Sequence, residues 1–226
     1  MRTYRQYCPI ARASEVIAER WTPIILRNMI SGAETFTEIA DGAPGLSRSL
    51  LSTRLRDLER AGVLQIVPHE RGHGHRYRLT TAGHDLGPVL LAMGDWAQRW
   101  FELSPQDSDP GFLLHTWVTR YLAVDRLPPQ RVVVRFDLLD QPVGRTRLWL
   151  VIDGERSEVC LTHPGHPEDL VVTGHSTALA QWHVGQLEWS QALRTGRLKV
   201  DGPRDLARAL PTWNQRSLWA GQASTS

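Results

Sequence analysis

Lysine is almost missing from this chain: Lys199 stands alone against 25 arginines in 226 residues. The bias runs the whole length, so it marks no single site. It does make nearly every cation a guanidinium, the group suited to bidentate contact with phosphate and guanine. Cysteine is scarce as well. Cys8 and Cys160 are too few for a disulfide framework or a four-cysteine zinc site. No run approaches the roughly 18 apolar residues of a membrane span, and the opening Met-Arg-Thr-Tyr-Arg-Gln-Tyr lacks the apolar core of a signal peptide. A cytoplasmic protein without a membrane partner is expected. GxSxG, P-loop, dinucleotide-binding glycine and HExxH patterns are all missing, and nothing orders a Ser, His and Asp into a triad, so neither an enzyme nor a cofactor is expected. His163, His166 and Glu168, and separately His69, His73 and His75, are of metal-ligating type, but neither group carries a marked fourth ligand and no metal is expected.

What is present is ordinary globular material, 41% hydrophobic and 22% charged. At about 150 residues per domain the length suits one large domain or two small ones. The net charge is only +2, yet residues 46–78 hold seven arginines against Asp57, Glu59 and Glu70. The chain after residue 104 balances thirteen basic against thirteen acidic residues. The positive bias therefore sits in one place. The polar run Ser104-Pro-Gln-Asp-Ser-Asp-Pro-Gly111 reads as a linker, dividing the chain into 1–103, 112–218 and a tail 219–226.

Helical spacing dominates before the linker. Ile10, Ala13, Val16 and Ile17 recur behind Pro9, and Thr22-Pro23 reads as a cap with proline in the first turn, closed at Gly32. Thr35 and Glu38 have capping-box spacing. Ser47 caps a stronger helix, 47–61, stopped by Gly62. Two short strands, 63–67 and 76–80, flank a glycine-bearing tip, and a long helix runs from about Ala82 to Phe101. This is the element order of a winged helix-turn-helix.

Helix 47–61 carries the sharpest chemistry. Leu51, Leu55 and Leu58 form its buried stripe, while Arg48, Ser49, Ser52, Thr53, Arg56 and Arg60 fall on the other side. A face of hydroxyls and arginines can reach base edges and phosphates in a major groove. Ser47, Arg48, Ser49, Ser52, Thr53 and Arg56 are the expected reading residues, with Arg71, His73, His75 and Arg76 expected at the wing.

Residues 7–101 resemble the HxlR family of bacterial winged-helix regulators, related to the MarR group. The resemblance is carried by Cys8-Pro9-Ile-Ala-Arg12, Arg20-Trp21-Thr22, Gly45-Leu46-Ser47, the run Leu51-Ser-Thr-Arg54-Leu55-Arg56-Asp57-Leu58-Glu59-Arg60-Ala61-Gly62, and Tyr77-Arg-Leu-Thr80-Thr-Ala-Gly83. It implies a dimeric transcription regulator with helix 47–61 in the major groove. It also implies that Cys8 can serve as a redox-sensing thiol, with an inert buried thiol as the alternative.

After the linker the pattern changes to alternating strands: Val132, Val134 and Phe136, then Leu148, Leu150 and Ile152, with Asp153-Gly154 as a tight turn into 155–161. A strand at 169–173, helices at 176–183 and 188–194, a strand at 197–200 and a helix behind Pro203 complete an α+β layer. Asp169-Leu-Val-Val-Thr-Gly174 and Ala192-Leu-Arg-Thr-Gly-Arg-Leu-Lys-Val-Asp-Gly202 resemble a sterol carrier domain. The resemblance implies a cavity for an apolar or aromatic effector, lined by Trp117, Tyr121, Phe136, Trp149, Leu179, Trp182, Trp189 and Trp213. Tryptophans simply filling a small core are the alternative.

The expected whole is an α+β, two-domain, ligand-responsive DNA-binding regulator that dimerises through its first helix and helix 82–101, where Val89-Leu-Leu-Ala-Met93, Trp96 and Trp100 exceed what one core face needs. The eight-residue linker is short enough to couple effector binding to DNA binding. Two alternatives stand beside it: a thiol-responsive regulator acting through Cys8, and a lipid-binding or transfer protein whose winged helix mediates protein contact.

Overall fold

The computed structural model describes residues 3–68, 74–142, 146–154, 156–217 and 220. The chain forms two compact units, Met1–Trp100 and Phe101–Ser226.

The first unit contains α1 (Pro9–Ile17), α2 (Thr22–Ile30), α3 (Phe36–Asp41), α4 (Arg48–Arg60), β1 (Leu64–Pro68), β2 (His75–Leu79), α5 (Thr81–His84) and α6 (Gly87–Trp100). Its core gathers Ile25, Leu26 and Met29 of α2, Ile39 of α3, Leu51, Leu55 and Leu58 of α4, and Val63 and Leu64 at the start of the wing. Each fully buried leucine or isoleucine contributes about 1.5–3 kcal/mol, so the three leucines of α4 fix which of its faces turns outward. The predicted capping box is present, with Thr35 Oγ1 accepting from Glu38 N at 3.3 Å and Glu38 Oε2 accepting from Thr35 N at 2.9 Å. β1 and β2 pair antiparallel with Ile66 opposite Tyr77. Tyr77 N also donates to Glu34 O at 2.8 Å, and Thr35 bridges to Arg76, so the segment before α3 is tied to the edge of β2.

Two local expectations are corrected here. The cap of α2 is Trp21, held in the left-handed region at φ 78°, and Thr22 lies inside the helix, buried. Its half-buried indole packs on the core, which compensates for a backbone conformation unfavourable to a bulky residue. The single helix 82–101 is instead α5 and α6, broken at 85–86. Pro88 has no amide proton, and its ring would collide with the carbonyl of His84 in an unbroken helix.

The second unit is a five-stranded sheet in the order β5-β4-β3-β6-β7, formed by β3 (Val132–Leu138), β4 (Arg147–Asp153), β5 (Arg156–Cys160), β6 (Leu170–Gly174) and β7 (Leu198–Asp201). β3 and β6 run parallel, Phe136 beside Val172, and the other pairs are antiparallel. Gly154, at φ 59°, makes the turn after β4 that the Asp153-Gly154 pair predicts. α7 (Pro110–Arg120), α8 (Ser176–His183), α9 (Trp189–Arg194) and α10 (Arg204–Ala209) complete the unit. Val132, Val134, Phe136, Leu148, Leu150, Ile152, Leu170 and Val172 point to one face and form one core with Leu114, Trp117, Leu179, Trp182, Trp189 and Trp213. The period-two alternation sends Val133, Trp149 and Val151 to the opposite face, in a smaller cluster beside Cys160.

The stretch read as a linker is structured and belongs to the second unit. Residues Pro105–Asp107 form a 3-10 turn boxed by Ser104 and Asp107, and Asp109 caps α7 by accepting from Phe112 N at 2.8 Å. Its Ser, Asp and Pro residues are helix-initiating chemistry, which composition alone does not separate from linker chemistry. At α8 the cap comes from a distance. The Asp140 carboxylate accepts from Ser176 N at 2.7 Å, Thr177 N at 3.1 Å, Ser176 Oγ at 3.1 Å and the Thr177 hydroxyl.

Candidate nucleic-acid interface

α4 presents the expected face. Ser47 is its N-cap, with Oγ accepting from Leu50 N at 3.3 Å, and Leu51 N is the first amide to bond within the helix. Ser47, Arg48, Ser49, Thr53 and Arg56 are exposed and Ser52 is half-buried. The hydroxyls are held locally: Ser47 and Ser49 lie 3.3 Å apart, and Thr53 Oγ1 donates to Ser49 O at 3.0 Å. The Arg48 guanidinium lies over the Phe36 ring at 5.1 Å, and Arg56 Nε leans on Ser52 O at 3.3 Å. Neither forms an ion pair with a carboxylate among the described residues, so both charges remain available to an anion.

Arg54, Arg60 and Arg76 each pair with a carboxylate. Arg60 pairs with Asp57 one turn back. Arg54 turns to the protein side, where its Nη2 meets Glu19 at 2.7 Å and its Nη1 meets Asp57 at 3.5 Å. Arg76, expected at the DNA, has its Nη1 2.7 Å from Glu34 Oε2. Arg76 bridges to Thr35, so the ion pair with Glu34 joins β2 to the segment before α3 and leaves the Arg76 side chain 36% exposed. His75 is exposed at the end of β2, opposite Pro68. Arg71 and His73 lie outside the described residues, as does His69. Sequence reasoning missed Glu19, Glu34 and Arg54, because an ion pair between residues 35 or 42 positions apart leaves no local pattern.

Two helices of the first unit carry exposed apolar side chains. Neither α1 nor α6 contains a buried residue. On α6, Val89, Met93, Trp96 and Trp100 follow one helical stripe and are 41%, 46%, 58% and 66% exposed. Tyr7 and Ile10, at the start of α1, are 98% and 77% exposed. Cys8 is half-buried and sits at the N-cap of α1, its carbonyl accepting from Arg12 N at 3.1 Å.

In the second unit the predicted effector residues divide. Trp117, Phe136, Leu179, Trp182, Trp189 and Trp213 come together in the main core. Trp117 and Trp182 rings are 5.5 Å apart, Trp182 and Trp189 are 4.9 Å apart, and Trp117 Nε1 donates to Trp213 O at 3.1 Å. Trp149 does not join them. It lies on the far face of the sheet, donating to Glu168 at 3.2 Å under the ring of His163, because an odd-numbered position in β4 faces away from the core. Tyr121 is half-buried and packs edge-on against His183 at 4.5 Å. The indole Nε1 atoms of Trp189 and Trp213 are buried without a hydrogen-bond partner among the described residues. A cleft of about 460 Å³ lies elsewhere, lined by Arg131, Val151, Asp153, Ser157, Glu158, Pro164 and His166, none of them a predicted ligand residue. His163, His166 and Glu168 are taken up by Trp149, Arg131 and Arg135, and no group of three metal-ligating side chains occurs among the described residues.

Residues 16–105 match the model of the HxlR-like helix-turn-helix family, and residues 124–212 match the SCP-2 sterol transfer family. The HTH-type transcriptional regulator YvaP of Bacillus subtilis is 33% identical over 111 residues, 48% of this chain and 95% of YvaP. The chain belongs to the HxlR-like helix-turn-helix family. An HTH-type transcriptional regulator of Mycobacterium bovis is 37% identical over 92 residues, 40% of this chain and 58% of that protein. Among solved structures, the redox regulator HypR in its reduced form is 30% identical, with a TM-score of 0.38, covering 41% of this chain and 92% of HypR. Family membership puts this HxlR-like chain among DNA-binding transcriptional regulators rather than enzymes. The match at 124–212 adds a sterol-carrier-like α+β domain behind the winged helix.

Proposed function

We propose that the chain is a homodimeric regulator that inserts α4 into the major groove of an operator and responds to a small apolar or aromatic molecule held in its second unit. The observation that carries the DNA reading is the outward face of α4, where Arg48 and Arg56 stand exposed without a carboxylate partner among the described residues, beside the exposed hydroxyls of Ser47, Ser49 and Thr53. In a symmetric dimer two such helices lie about 34 Å apart, one DNA turn. α1 and α6 supply the dimer contact, supported by the apolar stripe on α6. Wild-type protein selects a duplex from a randomised library. On that duplex Arg48→Ala and Arg56→Ala each cost about 1–3 kcal/mol. If both variants keep wild-type affinity, α4 is not the reader.

The effector reading is supported by the match to the sterol transfer family and by the buried indole Nε1 atoms of Trp189 and Trp213, which have no acceptor among the described residues. A buried donor without an acceptor costs about 1–3 kcal/mol, so an effector bearing a carbonyl or ether oxygen is favoured over a pure hydrocarbon. Native mass spectrometry of the purified protein tests this directly, because a retained small molecule is weighed together with the oligomer. By linkage, an effector that changes DNA affinity tenfold must itself bind tenfold differently when DNA is present.

A second reading is a thiol switch at Cys8, supported by its half-exposed position at the start of α1 and by the redox regulator HypR among the relatives. Diamide then changes DNA binding in the wild type and not in Cys8→Ser. An equal diamide response in both removes this reading.

A further inference from the structure

We infer that Arg54 is a positioning residue for DNA reading: it touches no DNA, and through Glu19 it locks α4 in the axial setting that puts Arg48 and Arg56 on base edges. The inference rests on α4 being the reading helix. Leu51, Leu55 and Leu58 decide which face of α4 is outward, but a stripe of leucines tolerates sliding and tilting, since apolar contact has no direction. A charge-assisted hydrogen bond has both a length and a direction. Among the described residues Arg54 supplies the one ion pair by which α4 reaches the turn before α2, Nη2 to Glu19 Oε2 at 2.7 Å, while Nη1 lies 3.5 Å from Asp57 of α4 itself. Its side chain is only 17% exposed. Glu19 belongs to the turn between α1 and α2, so the pair fixes α4 against the two helices that precede the helix-turn-helix.

A second feature lies at the same place. Arg54 Nε is buried with no partner among the described residues. Beside it is a small cavity of about 10 Å³ lined by Val16, Glu19, Thr22, Arg54, Asp57 and Leu58. That is close to the space one water needs, and its wall carries two carboxylates, a threonine and the guanidinium. Glu19 also lines an open cleft of about 300 Å³ with Thr3, Tyr4, Ser14, Glu15 and Ala18. The carboxylate that holds the reading helix therefore borders the groove beside the N-terminal arm.

The test is Glu19→Gln in the full chain, because the positioning role and bulk electrostatics predict opposite signs. Removing a negative charge near a DNA-binding helix strengthens attraction to phosphate. Loss of the lock weakens specific binding instead. The probes are the duplex that the wild type enriches from a randomised library and a random duplex of equal length. Glu19→Gln is expected to bind the enriched duplex at least fivefold more weakly and the random duplex within twofold of wild type. Arg54→Ala should lose tenfold or more on the enriched duplex with an unchanged salt slope, Arg54→Lys should recover most of that loss, and Arg54→Ala with Glu19→Gln should be no worse than Arg54→Ala alone. Glu19→Gln is nearly isosteric, so it remains readable if Arg54→Ala fails to fold. Unchanged or tighter binding of both duplexes by Glu19→Gln overturns the inference. So does an Arg54→Ala variant whose salt slope falls by about one, the mark of a direct phosphate contact. A wild type that enriches no sequence overturns the DNA reading itself, and the positioning role with it.

Discussion

Trp96→Ala probes the dimer surface most directly. Trp96 lies in the middle of the α6 stripe and is 58% exposed. A tryptophan offers about 250 Å², so roughly 140 Å² of it is open to a partner. At about 25 cal/mol per Å² that surface is worth about 3.5 kcal/mol in each copy. A symmetric dimer uses the same patch twice, which doubles the figure to about 7 kcal/mol, an upper bound because the contact need not cover the whole ring. Half of it, about 3.5 kcal/mol, raises the dimer Kd by more than two decades, at about 1.4 kcal/mol per decade. Sedimentation equilibrium of wild type and Trp96→Ala over nanomolar to micromolar concentration reads this. A wild type that stays monomeric at tens of micromolar refutes the reasoning. So does a variant that dimerises as tightly as wild type.

Three further outcomes are expected. Gly83→Ala should destabilise the first unit by about 1–3 kcal/mol in denaturant melts, because an added Cβ would sit 2.2 Å from the Val63 carbonyl oxygen, where backbone meets backbone and neither side can yield cheaply. Burial pushes the Asp140 carboxyl upward, but the hydrogen bonds from Thr177 and Ser176 together outweigh it and hold it below the usual carboxylate range. Its contribution is therefore fully present above the unfolded value of about 3.9 and fades as pH falls through the folded one. Asp140→Asn should cost about 2 kcal/mol at neutral pH and flatten the acid limb of stability below about pH 4, read by urea melts across that range. Burial holds His183 below the usual imidazole value, despite its hydrogen bond to Asn214. The unfolded chain then binds the proton first, so stability falls as pH drops from about 6.5 toward the folded value. His183→Gln should remove that slope below about pH 6.5, and an unaltered slope would assign it to another group.

Much of the fold could be read from local chemistry. The Thr35–Glu38 box, the Ser47 cap, the Leu51, Leu55 and Leu58 stripe and the Asp153-Gly154 turn are each encoded within a few residues, and each is found where its residues stand. The alternation Val132, Val134, Phe136 told which side of the sheet is core, because side-chain direction in a strand depends only on parity. The outward face of α4 followed in the same way from helical period.

Tertiary structure decided what depends on meeting a distant residue. Arg54 and Arg76 are the same residue type as Arg48 and Arg56, yet the first two pair with Glu19 and Glu34 and the second two have no carboxylate partner among the described residues. Asp140 became the cap of a helix that begins 36 residues later. Trp149 was separated from the other tryptophans by one step of strand parity, a step that matters only once a sheet with two faces exists. Local propensities act over one turn or one pair of residues and so are written in order along the chain. Ion pairs, distant caps and core membership are decided by how the chain returns on itself, and no short window of sequence contains that information.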